Sequence, residues 1–256
     1  MSVLEISQES GILILRLNRP DKHNCLNADL LNALQTAFQD ALINSSIRAV
    51  LLIGNGRSFC AGADINQLAA CNAISGYEFA RFGQAVMNQI EQLTKPVVAA
   101  LHGHVLGGGC ELAMSAHLRF AHPETQLGQP EIKLGVIPGY GGTQRLTRLV
   151  GRSKALDLCL TGRFIDAQTA AQYGLIDRIY AENLEQEALN YLKIMSEQPP
   201  YAASAILHSI LEGENLPLNK ALTLEALNFA KVCATEDKNE GIAAFLEKRK
   251  ANFKGA

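Results

Sequence analysis

The sequence predicts a layered α/β fold, and three observations carry that expectation. Short aliphatic runs bounded by glycine and proline alternate with helical periodicity over the first two thirds of the chain. Beyond about residue 195 only helical patterns remain. Hydrophobic residues make up 48% and charged residues 19%, a globular mix that excludes a wholly disordered, collagenous or coiled-coil chain. At about 150 residues per domain, the 256 residues make one large domain, or one domain with an appendage. There is no Trp and aromatics are 6%, so aliphatic side chains must supply most of the core.

In chain order, Ile12 to Leu17 (ILILRL) reads as a strand, bounded by Gly11 and Pro20. Asn27 suits a helix N-cap, ahead of Leu31, Leu34, Phe38 and Leu42 at helical spacing. Ala49 to Ile53 is a short buried strand. Phe79, Phe82, Val86, Ile90 and Leu93 mark one apolar helix face. Val97 to Leu101 is strand, Glu111 to Ala116 helix, and His117 to Ala121 strand again. Pro199 and Pro200 punctuate the chain. After them come helical patterns at Tyr201 to Leu211, Leu218 to Val232 and Lys238 to Lys250. The expected division is a catalytic domain over 1–195 and a helical module over 196–256.

Several function classes are set aside at this stage. The apolar window from Val97 to Leu118 is broken by His102, His104, Glu111 and a glycine run, so it reads as core and not as a membrane span. The amino terminus lacks a basic region before its apolar residues, so no secretory signal is expected. The six cysteines are scattered without a CxxC pair, which predicts reduced, mostly buried thiols. The net charge of -2 gives no global pull toward nucleic acid. GxGxxG, Walker and GxSxG motifs are absent. His102 and His104, two apart, would point to opposite faces of a strand and read as structural, with no metal site.

Three glycine-rich segments and two glutamates carry the remaining chemistry. The segments are FCAGADI at 59–65, GGGCEL at 107–112, and QPE at 129–131 leading into Gly135, Gly139, Gly141 and Gly142. Glycines ahead of a helix expose unpaired N–H groups in the positive field of its N-terminus, which suits an anionic oxygen. A second N–H from the Gly62-Ala63 turn, if it converged, would complete an oxyanion hole. Each loop alone fits a tight turn equally well. Glu111 and Glu131 sit in apolar, glycine-flanked stretches, where burial and a neighbouring carboxylate raise a pKa toward neutrality. The residues alone leave open whether the two glutamates meet.

At this point the pattern resembles the crotonase superfamily, and within it the enoyl-CoA hydratases. The matching segments are LNRPDKHNCLN (17–27), FCAGADI (59–65), HVLGGGCELAM (104–114), QLGQPEIKLGVIPGYGGTQRLTRLVG (126–151), LTGRFIDAQTAAQYGLID (160–177) and EGIAAFLEKRKANFK (240–254). They run in the family's order over essentially the whole chain. The resemblance implies a spiral of ββα units in two sheets, with a carboxy-terminal helical module for trimerisation and a hexamer built as a dimer of trimers. It implies an acyl thioester of coenzyme A as substrate, and no metal or redox cofactor. The backbone N–H groups of Ala63 and Gly108 would hold the thioester oxygen. Glu111 would help activate a water and Glu131 would protonate the α carbon, roles that reverse in dehydration. Gly139 would contact the water through its N–H. The product would be the (3S)-hydroxyacyl thioester, from short or medium chains.

The resemblance also implies coenzyme contacts at Lys22, His23, Ala61, Ala63, Asp64, Ile65, Phe245 and Lys248. Residues 247–254 carry four basic residues against one acidic, which suits phosphates. Two departures stand out. Asn66 replaces a frequent Lys, and Tyr140 replaces a smaller residue, which would narrow the acyl pocket or gate its mouth. Within the family, double-bond isomerisation is the alternative reaction, and retention of both glutamates argues against it. An RNA-binding homologue would need a lysine-rich helix face, whereas residues 76–95 hold only Arg81 and Lys95. The resemblance fits a cytoplasmic protein, or a mitochondrial-matrix one if a transit peptide has been removed.

Overall fold

A computed structural model describes residues 2–256. The larger sheet has six strands, ordered β1 (Leu4–Glu9), β2 (Ile12–Leu17), β3 (Ala49–Gly54), β4 (Val97–Leu101), β6 (Leu118–Ala121) and β9 (Arg178–Ile179). β1 pairs antiparallel with β2, and the other pairings are parallel. The smaller sheet is β5 (His104–Leu106), β7 (Gln126–Gly128) and β8 (Phe164–Asp166). The α/β layering is the one the sequence predicts, and the two sheets are those the resemblance implies.

Side-chain alternation in the central strands explains why they read as unbroken aliphatic runs. Leu13, Leu15, Val50, Leu52, Val97 and Ala99 face one core. Ile12, Ile14, Leu51, Ile53, Val98 and Ala100 face a second core on the opposite side. The first core is shared with α1 (Ala28–Ile43), α3 (Ala73–Glu91) and α4 (Gly108–Ser115). The second is covered by α8 (Leu184–Ser196) through Leu184, Ala188 and Leu192. Asn27 caps α1, its side chain accepting from the Leu30 N–H at 3.0 Å. Leu31, Leu34 and Phe38 are buried as expected, but Leu42 is exposed and Ala41 takes the fourth core position.

Several expectations are corrected. β1 was not expected; only Leu4 of its six residues is buried, so it lacks an apolar signature. His102 and His104 do not share a strand. His102 follows β4, its Nε2 3.2 Å from the Gly56 carbonyl, while His104 opens β5 in the other sheet. The helix expected from Glu111 begins three residues earlier, so two of the three glycines form its first turn and Gly107 is its N-cap. The thiols are all free, but only Cys60 and Cys110 are buried; Cys25, Cys71 and Cys159 are half-buried and Cys233 is exposed.

α5 (Gly142–Val150) and α6 (Arg152–Thr161) connect β7 to β8, and α7 (Ala167–Tyr173) follows β8. α2 (Ile65–Ala69) is a short helix after the first glycine loop. The tail is α9 (Pro200–Gly213), α10 (Leu218–Cys233) and α11 (Glu236–Glu247). α9 and α10 pack on each other, yet Ile206, Ile210, Leu222, Leu227 and Phe229 remain exposed on the single chain. No helix among the described residues is long and apolar enough to cross a membrane.

Candidate active site

A cavity of about 790 Å³ opens where the two glycine loops and the turn after β7 meet. Ala63, Gly108, Glu111, Glu131 and Gly139 all line it. So do Ala61, from the loop that precedes α2, and Ile65, the first residue of α2.

The Ala63 amide is aimed by its neighbours. Leu26 forms an isolated parallel bridge with Ala63. The Leu26 N–H donates to Gly62 O and the Asp64 N–H donates to Leu26 O, both at 2.8 Å. In a parallel bridge the bonds are made by the flanking residues, so the Ala63 N–H points away from Leu26. Gly108 opens α4, and a first-turn amide has no acceptor inside its own helix. The two groups converge: a Cβ on Gly108 would stand 3.1 Å from the Ala63 nitrogen. Gly109 permits this approach, because a Cβ there would lie 2.0 Å from the Cys60 carbonyl oxygen. Two amides without a backbone acceptor thus lie close together on the cavity wall, one of them at the positive end of a helix.

Glu111 lies in the first turn of α4 and is 2% exposed. Its Oε1 accepts from the Tyr140 N–H at 2.8 Å and the Gly142 N–H at 2.6 Å. Burial pushes its carboxyl up to about 8, and the Glu131 carboxyl adds to the rise. The two amides and Arg145 oppose this without cancelling it. Glu131 starts a 3₁₀ turn, Glu131–Leu134, and burial pushes its carboxyl up to about 7. The charge coupling makes the two carboxyls one titrating pair. With these values the pair holds about one proton near neutral pH.

Two glutamines to which the sequence reading gave no role support this site. Gln129 is fully buried, and with its amide nitrogen turned toward Glu131 it donates to both carboxyl oxygens, at 2.8 and 3.0 Å. Gln84 of α3 donates to the Gly139 carbonyl at 2.9 Å. The Gly139–Tyr140 peptide is therefore pinned at both ends, by Gln84 at its carbonyl and by Glu111 at its N–H. Neither glutamine carries charge or periodicity that would mark it; the signal available was nearness to Glu131 and to the apolar face of α3.

The remaining expected contacts are dispersed. His23 and Lys22 are exposed; the His23 Nδ1 lies 3.2 Å from Ser58 Oγ, and the His23 carbonyl accepts from the Ala61 N–H. Asp64 caps α2 by accepting from the Asn66 N–H and pairs with Arg19 at 3.3 Å, so its carboxylate is already engaged. Asn66 is exposed. Phe245 is 83% exposed and, like Lys248, does not line the cavity of the single chain. Among the described residues, no group of three or more His, Cys, Asp or Glu could hold a metal ion.

Comparison with known proteins finds similarity along almost the whole chain. The family model described as enoyl-CoA hydratase/isomerase matches residues 7–256. A probable enoyl-CoA hydratase of Rhizobium meliloti is 40% identical over 98% of this chain and 97% of its own. A short-chain-enoyl-CoA hydratase of Clostridium acetobutylicum is 38% identical over 96% of this chain and 95% of its own. Among solved structures, the enoyl-CoA hydratase of Bacillus anthracis superposes with a TM-score of 0.95 at 35% identity. It covers 99% of this chain and 100% of that one.

Proposed function

The chain belongs to the enoyl-CoA hydratase/isomerase family, and from that premise we propose that it is a hydro-lyase adding water to trans-2-enoyl thioesters of coenzyme A. The observation that carries this reading is the meeting of two backbone amides and two high-pKa carboxyls in one cavity.

The thioester carbonyl oxygen takes the two amides of Ala63 and Gly108. Each such donor contributes about 3–4 kcal/mol as negative charge develops on that oxygen. The carboxylate of the pair removes a proton from water while its oxygen bonds to the β carbon. The protonated partner delivers a proton to the α carbon, and the π bond between the two carbons is consumed. We assign water activation to Glu111 and α-carbon protonation to Glu131, with Gly139 beside the water. They act in the form of the pair whose shared proton sits on Glu131; Glu111 carrying the proton is the resting form that its higher pKa favours. The product is the (3S)-hydroxyacyl thioester, and coenzyme A is part of the substrate, so the reaction needs no further cofactor.

Retention of both carboxyls in one cavity supports hydration over double-bond isomerisation. The basic-face alternative loses its support at Lys95, whose ammonium is occupied by the carbonyls of Ala41 and Asn44. Exposed apolar residues on α9 and α10 support assembly as a homotrimer or a dimer of trimers, with a catalytic unit over 1–195 and an assembly unit over 196–256. Phe245 and Lys248 then contribute to the coenzyme site from the assembled tail. The relatives are bacterial, which supports a cytoplasmic enzyme. The test is steady-state hydration across enoyl-CoA thioesters of four to twelve carbons, read as loss of the conjugated enoyl absorbance. Turnover concentrated on short and medium chains is expected; no turnover of any of them refutes the proposal.

A further inference from the structure

Beside its apolar face, α3 carries a polar stripe. Gln84, Asn88 and Glu91 stand at i, i+4 and i+7, so they share one side of the helix. All three engage the segment that follows Pro138. Gln84 Nε2 donates to the Gly139 carbonyl at 2.9 Å. Asn88 Oδ1 and Glu91 Oε2 accept from the Arg145 guanidinium at 2.6 and 2.7 Å, and Arg145 donates onward to the Tyr140 carbonyl at 3.1 Å. Two successive carbonyls are thus held from the side of α3. The N–H groups of Tyr140 and Gly142 donate the other way, to Oε1 of Glu111. The turn is a strap between a helix face and a carboxyl of the catalytic pair.

The Gly139–Tyr140 peptide joins the two sides, with Gln84 at its carbonyl and Glu111 at its N–H. Sterics leave the tilt of this peptide open. Gly139 has no side chain, and a Cβ there would meet only the Ala80 Cβ, at 3.8 Å. The Tyr140 ring fixes where residue 140 sits, because it fills the space beside Gly83, where a Cβ would lie 2.1 Å from its Cδ1. That seat makes the ring a wall and not the expected gate. The tilt ahead of it is set by hydrogen bonds, and a donor on the carbonyl also polarises the peptide and strengthens the bond that its N–H makes. Gln84 Oε1 accepts from Arg81 at 3.0 Å, which turns Nε2 toward the carbonyl. Gln84 does not line the catalytic cavity; it lines a separate groove of about 430 Å³ with Asn88, Glu91 and Arg145. Its route to the chemistry is therefore the peptide.

We propose that Gln84 is a positioning residue for hydration, holding the Glu111 carboxylate in its ionised, water-activating form through the Gly139–Tyr140 peptide. The proposal rests on the hydratase reading. N–H bonds to a carboxylate favour the ionised form over the protonated one. When one of them loses its aim, the proton shared by the pair shifts from Glu131 toward Glu111, and the active form becomes rarer by the same factor. The groups that face Glu111 are Glu131 from the 3₁₀ turn, Arg145 from α5, Cys159 from α6, the neighbouring Cys110 and the Tyr140 phenol. From α3 come Glu91, bound to Arg145, and Arg81, bound to Gln84. Gln84 is neutral, so a neutral replacement alters none of these charges.

The test compares the wild-type protein with Gln84→Met, which keeps the length of the side chain and removes the donor. Gln89→Met is the control: Gln89 makes the same kind of bond from the same helix, but to the Gln35 carbonyl of α1, at 3.0 Å. One readout is kcat and KM for crotonyl-CoA across pH. The other is the carboxyl carbon-13 NMR titration of glutamate-labelled protein, with the Glu111 signal assigned by its loss in Glu111→Gln. In Gln84→Met kcat falls roughly three- to tenfold with KM unchanged, and the upper midpoint of the Glu111 signal rises by roughly half a pH unit to one, the same factor read twice. Gln84→Asn, whose donor stops a methylene short, moves both in the same direction and serves if the Met variant does not fold. Gln89→Met leaves both at wild type. A wild-type kcat or a wild-type midpoint in the Gln84 variants overturns the proposal, as does an equal shift in Gln89→Met. Hydration of no enoyl thioester by the wild type overturns the hydratase reading instead, and the NMR midpoints then decide whether Gln84 governs the charge on Glu111.

Discussion

Replacing Glu111 by Gln separates what the carboxyl does for stability from what it does for chemistry. Gln keeps an oxygen acceptor for the Tyr140 and Gly142 amides, so the local fold is retained. What disappears is the ionisable group whose pKa rises from 4.5 to about 8 on folding. A rise of ~3.5 units at ~1.4 kcal/mol per unit sets a ceiling of ~5 kcal/mol. The direction follows from proton counting. Below pH 4.5 both folded and unfolded chains hold the proton, and the carboxyl carries no penalty. Between 4.5 and 8 the unfolded chain releases it while the folded chain retains it, so wild-type stability declines as pH rises. Above 8 the difference is constant. The variant therefore matches the wild type at pH 4 and exceeds it by ~3 kcal/mol at pH 7. For a chain of this size that is a Tm difference on the order of 5–12 °C. Hydration falls at the same time by ~10²–10⁴-fold. Thermal melts from pH 4 to pH 9, paired with turnover of crotonyl-CoA, measure both. A stability gap that ignores pH, or a variant less stable than the wild type at pH 8, would falsify the argument from burial.

The other predictions concern the same cavity and its supports. Because hydration needs one carboxyl ionised and the other protonated, kcat/KM follows a bell in pH, with limbs near 7 and 8; in Glu131→Gln one limb disappears, and a flat profile in the wild type contradicts the paired role. Gly83→Ala drives a methyl into the Tyr140 ring and lowers stability by about 2 kcal/mol or more. Adding Tyr140→Ala removes the clash, so the two changes are non-additive in denaturant melts, and simple additivity speaks against the contact. Asp177→Ala strips Arg119 of its 3.2 Å ion pair, leaving a 5%-exposed arginine supported only by the carbonyls of Leu175 and Ala116. The expected loss is about 3 kcal/mol, and an unchanged urea midpoint excludes it.

The parts of this fold that were legible are those where one residue type repeats. β2, β3 and β4 are aliphatic on both faces because each face meets its own core. Phe79, Val86 and Ile90 announce α3 for a similar reason, although Phe79 serves the cavity wall more than the core. β1 escaped because it is an edge strand with five exposed residues. The two glycine loops were marked by their spacing, since close backbone approach leaves that mark, and the family resemblance assigned the donor amides to Ala63 and Gly108. Gln84 and Gln129 leave none, because a neutral amide acts only through its placement. The nearness of Glu111 to Glu131 is likewise a product of β5, α4 and β7 folding together, not of any local pattern.

The parallel bridge between Leu26 and Ala63 has a consequence for how the protein fails. It clasps the first glycine loop to the segment before α1 through two hydrogen bonds, beside the bond from the Ala61 N–H to the His23 carbonyl and the Arg19–Asp64 pair. When that clasp breathes open, the sheet stays paired while one amide of the anion cradle loses its aim. Warming or mild denaturant therefore silences the enzyme before it melts, and deuterium exchange at the Leu26 and Asp64 amides keeps time with the lost turnover.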